Sequence, residues 1–158
     1  EGKYYIYVTR SFTRYEDQMN IDAFSSSDLV HWEKHEGIID MSGYPYVHRA
    51  VWAPTITEKN GKYYYVFASG DIHSEAEKGG LEIAVSDSPT GPFKPARADG
   101  TPLITDDMTP DSHRANADID PTVLIDDDGT AWMAWGNGDC YIVKLTPDSK
   151  DIEVFSGL

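Results

Sequence analysis

The feature that most constrains this chain is an internal repeat. Gly-Lys-Tyr-Tyr-Ile-Tyr-Val begins at Gly2, and Gly-Lys-Tyr-Tyr-Tyr-Val-Phe begins 59 residues later at Gly61. Gly-Thr-Ala-Trp-Met-Ala-Trp begins a further 68 residues on, at Gly129. A second element follows each glycine: Ala-Phe-Ser-Ser-Ser-Asp-Leu-Val-His-Trp from Ala23, Ile-Ala-Val-Ser-Asp-Ser-Pro-Thr-Gly-Pro-Phe from Ile83, and a weaker Tyr-Ile-Val-Lys-Leu-Thr-Pro-Asp from Tyr141. A third element precedes two of the glycines: Trp52-Ala53-Pro54-Thr55-Ile56 leads toward Gly61, and Ile119-Asp120-Pro121-Thr122-Val123 leads toward Gly129. Repeats of this period signal stacked supersecondary units rather than one continuous fold.

Each unit reads as four short antiparallel strands. The runs are rich in Tyr, Val, Ile, Phe and Trp, which suit a pleated surface, and Lys-Asn-Gly-Lys and Asp-Asp-Gly-Thr are tight-hairpin signals. The second unit predicts strands at 51–57, 62–69, 81–86 and 92–97, and the third at 120–126, 130–136, 140–146 and 151–156. The first has only three, at 3–9, 22–27 and 31–39. No amphipathic helix is legible. The expected fold is all-β, a β-propeller fragment of about two complete blades plus three strands of a first, divided as 1–45, 46–110 and 111–158. A β-sandwich is the rival, but it does not predict the matched Trp-Ala-Pro-Thr and Ile-Asp-Pro-Thr segments. By the repeat, the missing inner strand would lie before Glu1, so the sequence reads as part of a longer protein.

Charge narrows the partners. Thirteen basic against 27 acidic residues leave a net charge of −14, with no basic stripe. That argues against nucleic acid and against anionic membranes, and leaves a neutral, hydroxyl-rich ligand compatible. No apolar run approaches the length of a membrane span. The first residues already read as strand, so the sequence is silent on a signal peptide, and secreted, periplasmic and intracellular locations all stay open. The single cysteine, Cys140, excludes an internal disulfide framework and is expected to be a buried strand residue. The five histidines show no zinc-like spacing.

Among the acids, Asp118 and Asp120 alternate with Ala117 and Ile119 and are expected on one strand face, at the mouth of an inner strand. From pattern alone, Asp120 is either an Asp-Pro strand cap or a functional carboxylate. Asp126, Asp127 and Asp128 are read as a hairpin turn in solvent.

The run Ile-Asp-Pro-Thr-Val-Leu-Ile-Asp-Asp-Asp-Gly-Thr-Ala-Trp-Met-Ala-Trp-Gly-Asn at 119–137 resembles the third blade of glycoside hydrolase family 43. Val-Trp-Ala-Pro-Thr-Ile at 51–56 resembles that family's second-blade inner strand. Ser-Ser-Ser-Asp-Leu-Val-His-Trp at 25–32 and Ala-Val-Ser-Asp-Ser-Pro-Thr-Gly-Pro-Phe at 84–93 resemble its outer strands. The resemblance covers nearly the whole chain in the family's order. It implies a five-bladed propeller that cleaves glycosidic bonds with inversion, using an Asp of the first blade as general base, a Glu of the fourth as general acid, and an Asp of the third that orients the acid and tunes its pKa. By motif position Asp120 is that third carboxylate. Inversion needs acid and base roughly 6.5–9.5 Å apart to admit a water. A neighbouring carboxylate keeps an acid protonated above its free value of about 4.3.

The resemblance also implies that the base lies before Glu1 and the acid after Leu158, so this chain alone is expected to be inactive. Glu75, Glu77, Glu82 and Glu153 lack the acid's context. Trp52, Ser69 and Asn116 are candidate substrate contacts, with Gly70, Asp71, His48, Arg49, His113 and Arg114 as weaker ones. No metal ligand is assigned, although the family implies a calcium or sodium ion in the central channel. The expected substrate is an arabinoxylan- or arabinan-type oligo- or polysaccharide, cut by an α-L-arabinofuranosidase or β-xylosidase. An endo-arabinanase and a non-catalytic carbohydrate-binding propeller are the alternatives.

Overall fold

The computed structural model describes residues 2–10, 14–70, 80–109 and 118–151. Its sheets are antiparallel throughout. The first contains β1 (Tyr4–Val8), β2 (Asp22–Ser26) and β3 (Glu33–His35) in the order β1-β2-β3. The second contains β4 (Val51–Lys59), β5 (Lys62–Ser69), β6 (Gly80–Ser86) and β7 (Lys94–Pro95), with β8 (Ile104–Thr105) also paired to β6. The third contains β9 (Thr122–Ile125), β10 (Ala131–Trp135) and β11 (Tyr141–Lys144), ordered β11-β10-β9. Most of these strands fall inside the spans that the repeat predicts; β4 runs on to Lys59, β6 starts at Gly80, and β8 lies in no predicted strand. The predicted strand at 151–156 lies outside the described residues, save Asp151.

The middle sheet is buried on both faces, and β5 shows why its sequence is almost continuously apolar. Side chains alternate across a strand. Tyr65 and Phe67 join a cluster with Ile21, Ala23, Ile39 and Val51 on the side of the first sheet. Tyr64, Val66 and Ala68 join one with Leu81, Ile83, Ala131, Met133 and Trp135 on the side of the third. Aromatic edges carry part of the first contact: Tyr65 meets Tyr7 with ring centroids 5.5 Å apart. Strand β4 packs alongside both β1 and β9. The outer faces of the flanking sheets leave Tyr4 and Ile6, and Leu124 and Ile142, exposed.

The hairpins follow their turn chemistry. Asn60 and Gly61 both have positive φ, 56° and 76°, as a two-residue I′ hairpin requires. The Asp126–Thr130 hairpin is one residue longer. Gly129 N–H donates to Asp126 O at 2.8 Å, and Gly129, at φ 83°, takes the left-handed position after a type I turn. Asp126, Asp127 and Asp128 are exposed there, as expected.

Two sequence expectations are corrected. The outer strand of the middle sheet is not one run over 92–97. It is split into β7 against Ala84 and Val85, and β8 against Gly80 and Leu81. Pro92 and Pro95 have no N–H to donate, so a long ladder cannot form along this edge. Cys140, expected to be buried in a strand, is exposed. The ladder opens with Trp135 opposite Tyr141, which leaves Cys140 in the turn outside it.

Phe67 is fully buried. Phe67→Ala is expected to cost about 3–5 kcal/mol in equilibrium urea unfolding. Val30→Ala, at a position 73% exposed, is expected to cost less than about 0.5 kcal/mol.

Candidate active site

The first residues of β4 and the segment leading into β9 share one backbone device. Ala53 has φ 43° and Asp120 φ 56°, and each precedes a proline. The left-handed region is uncommon for residues other than glycine, and a following proline biases its neighbour toward extended backbone. Such geometry costs about 1–3 kcal/mol and persists only where surrounding contacts impose it. In β4 the register slips between Trp52 and Thr55, and β9 begins only at Thr122. The two positions correspond although Ala53 lies eight residues before Gly61 and Asp120 nine before Gly129, because the second hairpin is one residue longer.

The kink overturns the expected alternation at Asp118 and Asp120. They do not share a face: Asp118 is 7% exposed, whereas Asp120 is open to solvent. A strand's two-residue period applies only inside the strand, and Asp120's left-handed turn breaks it. Both oxygens of Asp118 accept hydrogen bonds, from Trp135 Nε1 at 2.8 Å and from Thr109 Oγ1 at 3.0 Å. Burial chiefly pushes the Asp118 carboxyl above the usual range, against the pull of those two bonds.

Trp52 stands beside Ala53 on β4. Its ring is half-buried, its Nε1 donates to Gln18 Oε1 at 3.1 Å, and it lies 5.5 Å from the Tyr15 ring. Tyr15 OH donates to Gly70 O at 3.2 Å. Trp52, Tyr15, Gln18 and Gly70 therefore form one connected wall. Trp52 and Ile119 also pack on the same hydrophobic cluster, and β4 contacts β9. Tyr15 and Gln18 escape sequence reasoning because they sit in the β1–β2 connection, where the repeat has no counterpart.

Ser69, expected to touch substrate, is 3% exposed, and its hydroxyl donates to Glu82 Oε1 at 3.1 Å. It ties the end of β5 to β6 rather than offering a hydroxyl to a sugar. The reason is register: Ser69 lies opposite both Val51 and Gly80, inside the sheet. His48 is exposed and Arg49 half-buried in the loop before β4. Asn116, Asp71, His113 and Arg114 lie outside the described residues, as do Glu75, Glu77 and Glu153. Among the described residues no group of three or more His, Cys, Asp or Glu could hold a metal ion.

Glu82 is fully buried, and its second oxygen, Oε2, has no hydrogen-bond partner. Burial pushes its carboxyl from 4.5 up to about 7, against the Ser69 hydrogen bond and the Arg97 charge. Its isolation from solvent keeps it from acting as a general acid toward a ligand.

Antiparallel sheets packed face to face on either side of the middle one fit a partial β-propeller. A sequence profile described as glycosyl hydrolases family 43 matches residues 1–153, and this chain belongs to that family. It is 32% identical over 162 residues to a β-D-galactofuranosidase of Aspergillus niger, an alignment covering 93% of this chain and 43% of the relative. It is 30% identical over 161 residues to an arabinoxylan arabinofuranohydrolase of Bacillus subtilis, covering 87% and 29%. The structure of an α-L-arabinofuranosidase from Clostridium thermocellum superposes with a TM-score of 0.74 at 30% identity, covering 98% of this chain and 51% of that one. A β-xylosidase/α-arabinofuranosidase from a compost metagenome, in complex with xylotriose, superposes at 0.73 and 24% identity, which bears on the fold alone. The chain thus spans about half the length of these solved structures and less than half of the curated relatives.

Glu82 generates a pH prediction. Between pH 4.5 and about 7 the folded chain holds a proton that the unfolded chain releases. The stability from this group is full below 4.5 and is lost as pH rises through about 7, a change of roughly 3 kcal/mol. Glu82→Gln is expected to flatten the dependence of unfolding free energy on pH across that window, measured by urea titration at a series of pH values.

Proposed function

We propose that this chain is the part of an inverting glycoside hydrolase that carries the third of its active-site carboxylates, Asp120. The observation that carries the reading is the strained, solvent-facing left-handed Asp120 at the mouth of β9, beside the segment holding Trp52. Backbone strain that packing must impose is a mark of functional sites. At the corresponding position of the middle sheet stands Ala53, which has no group to offer. Asp120 orients the general acid and raises its pKa by like-charge proximity, without itself transferring the proton. The acid and the general base come from parts of the domain beyond these residues. Trp52 offers a ring face to the sugar, with Tyr15 and Gln18 behind it. The blades divide as 1–45, 46–110 and 111–158.

The substrate is an arabinoxylan- or arabinan-type oligo- or polysaccharide, and the bond cut is an α-L-arabinofuranosyl or β-xylosyl linkage. Support comes from the relatives' named activities, among them arabinoxylan arabinofuranohydrolase and xylosidase/arabinosidase; the −14 net charge is compatible with a neutral ligand.

The test is Asp120→Asn in the protein carrying the complete domain, assayed on nitrophenyl arabinofuranoside and xyloside. Turnover is expected to fall about 10²–10⁴-fold with KM within about threefold. Unchanged turnover would remove Asp120 from the mechanism. Sugar binding with no hydrolysis by the unaltered protein would favour a carbohydrate-binding propeller.

A further inference from the structure

The middle and third sheets hold the same kinked segment by different means. Two residues before Ala53, the middle sheet places Val51, 3% exposed and part of the apolar core. Two residues before Asp120, the third sheet places Asp118, 7% exposed and doubly hydrogen-bonded. The fold is therefore satisfied by an aliphatic side chain at this position. An acid there is desolvated, and that cost calls for a return which packing alone does not supply.

The return is geometric. Asp118 Oδ1 is held by Trp135, whose ring is buried and stacked on Tyr141 with centroids 5.4 Å apart. Asp118 Oδ2 is held by Thr109, itself 4% exposed, on the connection arriving from the middle sheet. The next residue is fixed through its backbone: Gly136 N–H donates to Ile119 O at 2.9 Å. Position 136 admits only glycine, because at φ 134° an added Cβ would stand 2.0 Å from Asp139 O. On the far side, Pro121 is buried and Thr122 pairs with Ala134. Asp120 is thus an exposed residue whose chain neighbours on both sides are anchored.

We infer that Asp118 is a positioning residue for hydrolysis: its carboxyl, clamped by Trp135 and Thr109, fixes the left-handed turn that aims Asp120 at the general acid. This rests on the reading of Asp120 given above. Misplacement of a reacting constellation by about 1 Å can cost about 10²-fold in rate, so a clamp of this kind acts on turnover rather than on sugar affinity.

The experiment uses the protein with its complete domain and the nitrophenyl glycoside it cleaves. Asp118→Val installs the residue used by the middle sheet. It is expected to leave the protein folded by circular dichroism, to lower kcat about ten- to hundredfold, and to change KM by less than about twofold. Asp118→Asn keeps an acceptor for the indole and is expected to restore most of the loss. Trp135→Phe and Thr109→Val, which remove one donor each, are expected to lower kcat in the same direction. Added to Asp120→Asn, Asp118→Val is expected to cost less than about twofold more, since there is no longer a carboxylate to aim. A purely structural role would cost the same in both backgrounds, and that result overturns the inference. So does an Asp118→Val protein with unchanged kcat while Asp120→Asn is inactive, which leaves the reading of Asp120 standing. If Asp118→Val does not fold, the Asn, Phe and Val variants at the three clamp positions decide: full turnover in all three overturns the inference. Full activity in Asp120→Asn overturns both readings together.

Discussion

The structure depends on the burial of both faces of the middle sheet. Strand β5 sends Tyr65 and Phe67 one way and Tyr64, Val66 and Ala68 the other, and each set is closed by a different neighbouring sheet. Without both neighbours, half of a nearly all-apolar strand would face water, at roughly 25 cal/mol for every Å² of apolar surface. This requirement stacks the sheets face to face. It also sets the kink in β4 and the one before β9 against a common hydrophobic cluster, on which Trp52 and Ile119 both pack. The candidate site is in that sense a by-product of sheet packing, gathered at the end where the inner strands begin.

On this rigid base the chain stores local strain. Ala53 and Asp120 both take left-handed backbone before proline, against intrinsic preference. Ala53 is held by a hydrogen bond from its own N–H to Oγ1 of Thr9, the residue after β1, at 2.9 Å. The third sheet holds Asp120 by clamping its neighbours. One backbone solution therefore serves structure in one blade and presents a carboxylate in the next.

Much of the fold was legible because its signals are local. The glycine-anchored hairpins, the alternating aromatic strands and the Pro-Thr lead-in segments each depend on a few neighbouring residues. Asp120 stood out as a candidate for the same reason, as part of a short ordered motif. What escaped depended on register and on distant partners. Cys140 looked like strand and sits in a turn because the β10–β11 ladder opens at Trp135 and Tyr141. Ser69 looked like a pocket residue and is turned to Glu82 across the sheet. Asp118 looked like a companion to Asp120, and its bonds to Thr109 and Trp135 reach 9 and 17 residues along the chain.

The sequence by itself determined the repeating antiparallel architecture and the order of its units, because periodicity, turn residues and motif order are properties of the linear chain. Tertiary structure alone decided which way each acid faces. Asp120 turns outward, Asp118 inward between an indole and a hydroxyl, and Glu82 into a dry interior that holds its proton to about 7. The physical reason is that a carboxylate's role is set by its desolvation and its partners. Those are fixed only when separate sheets close upon one another.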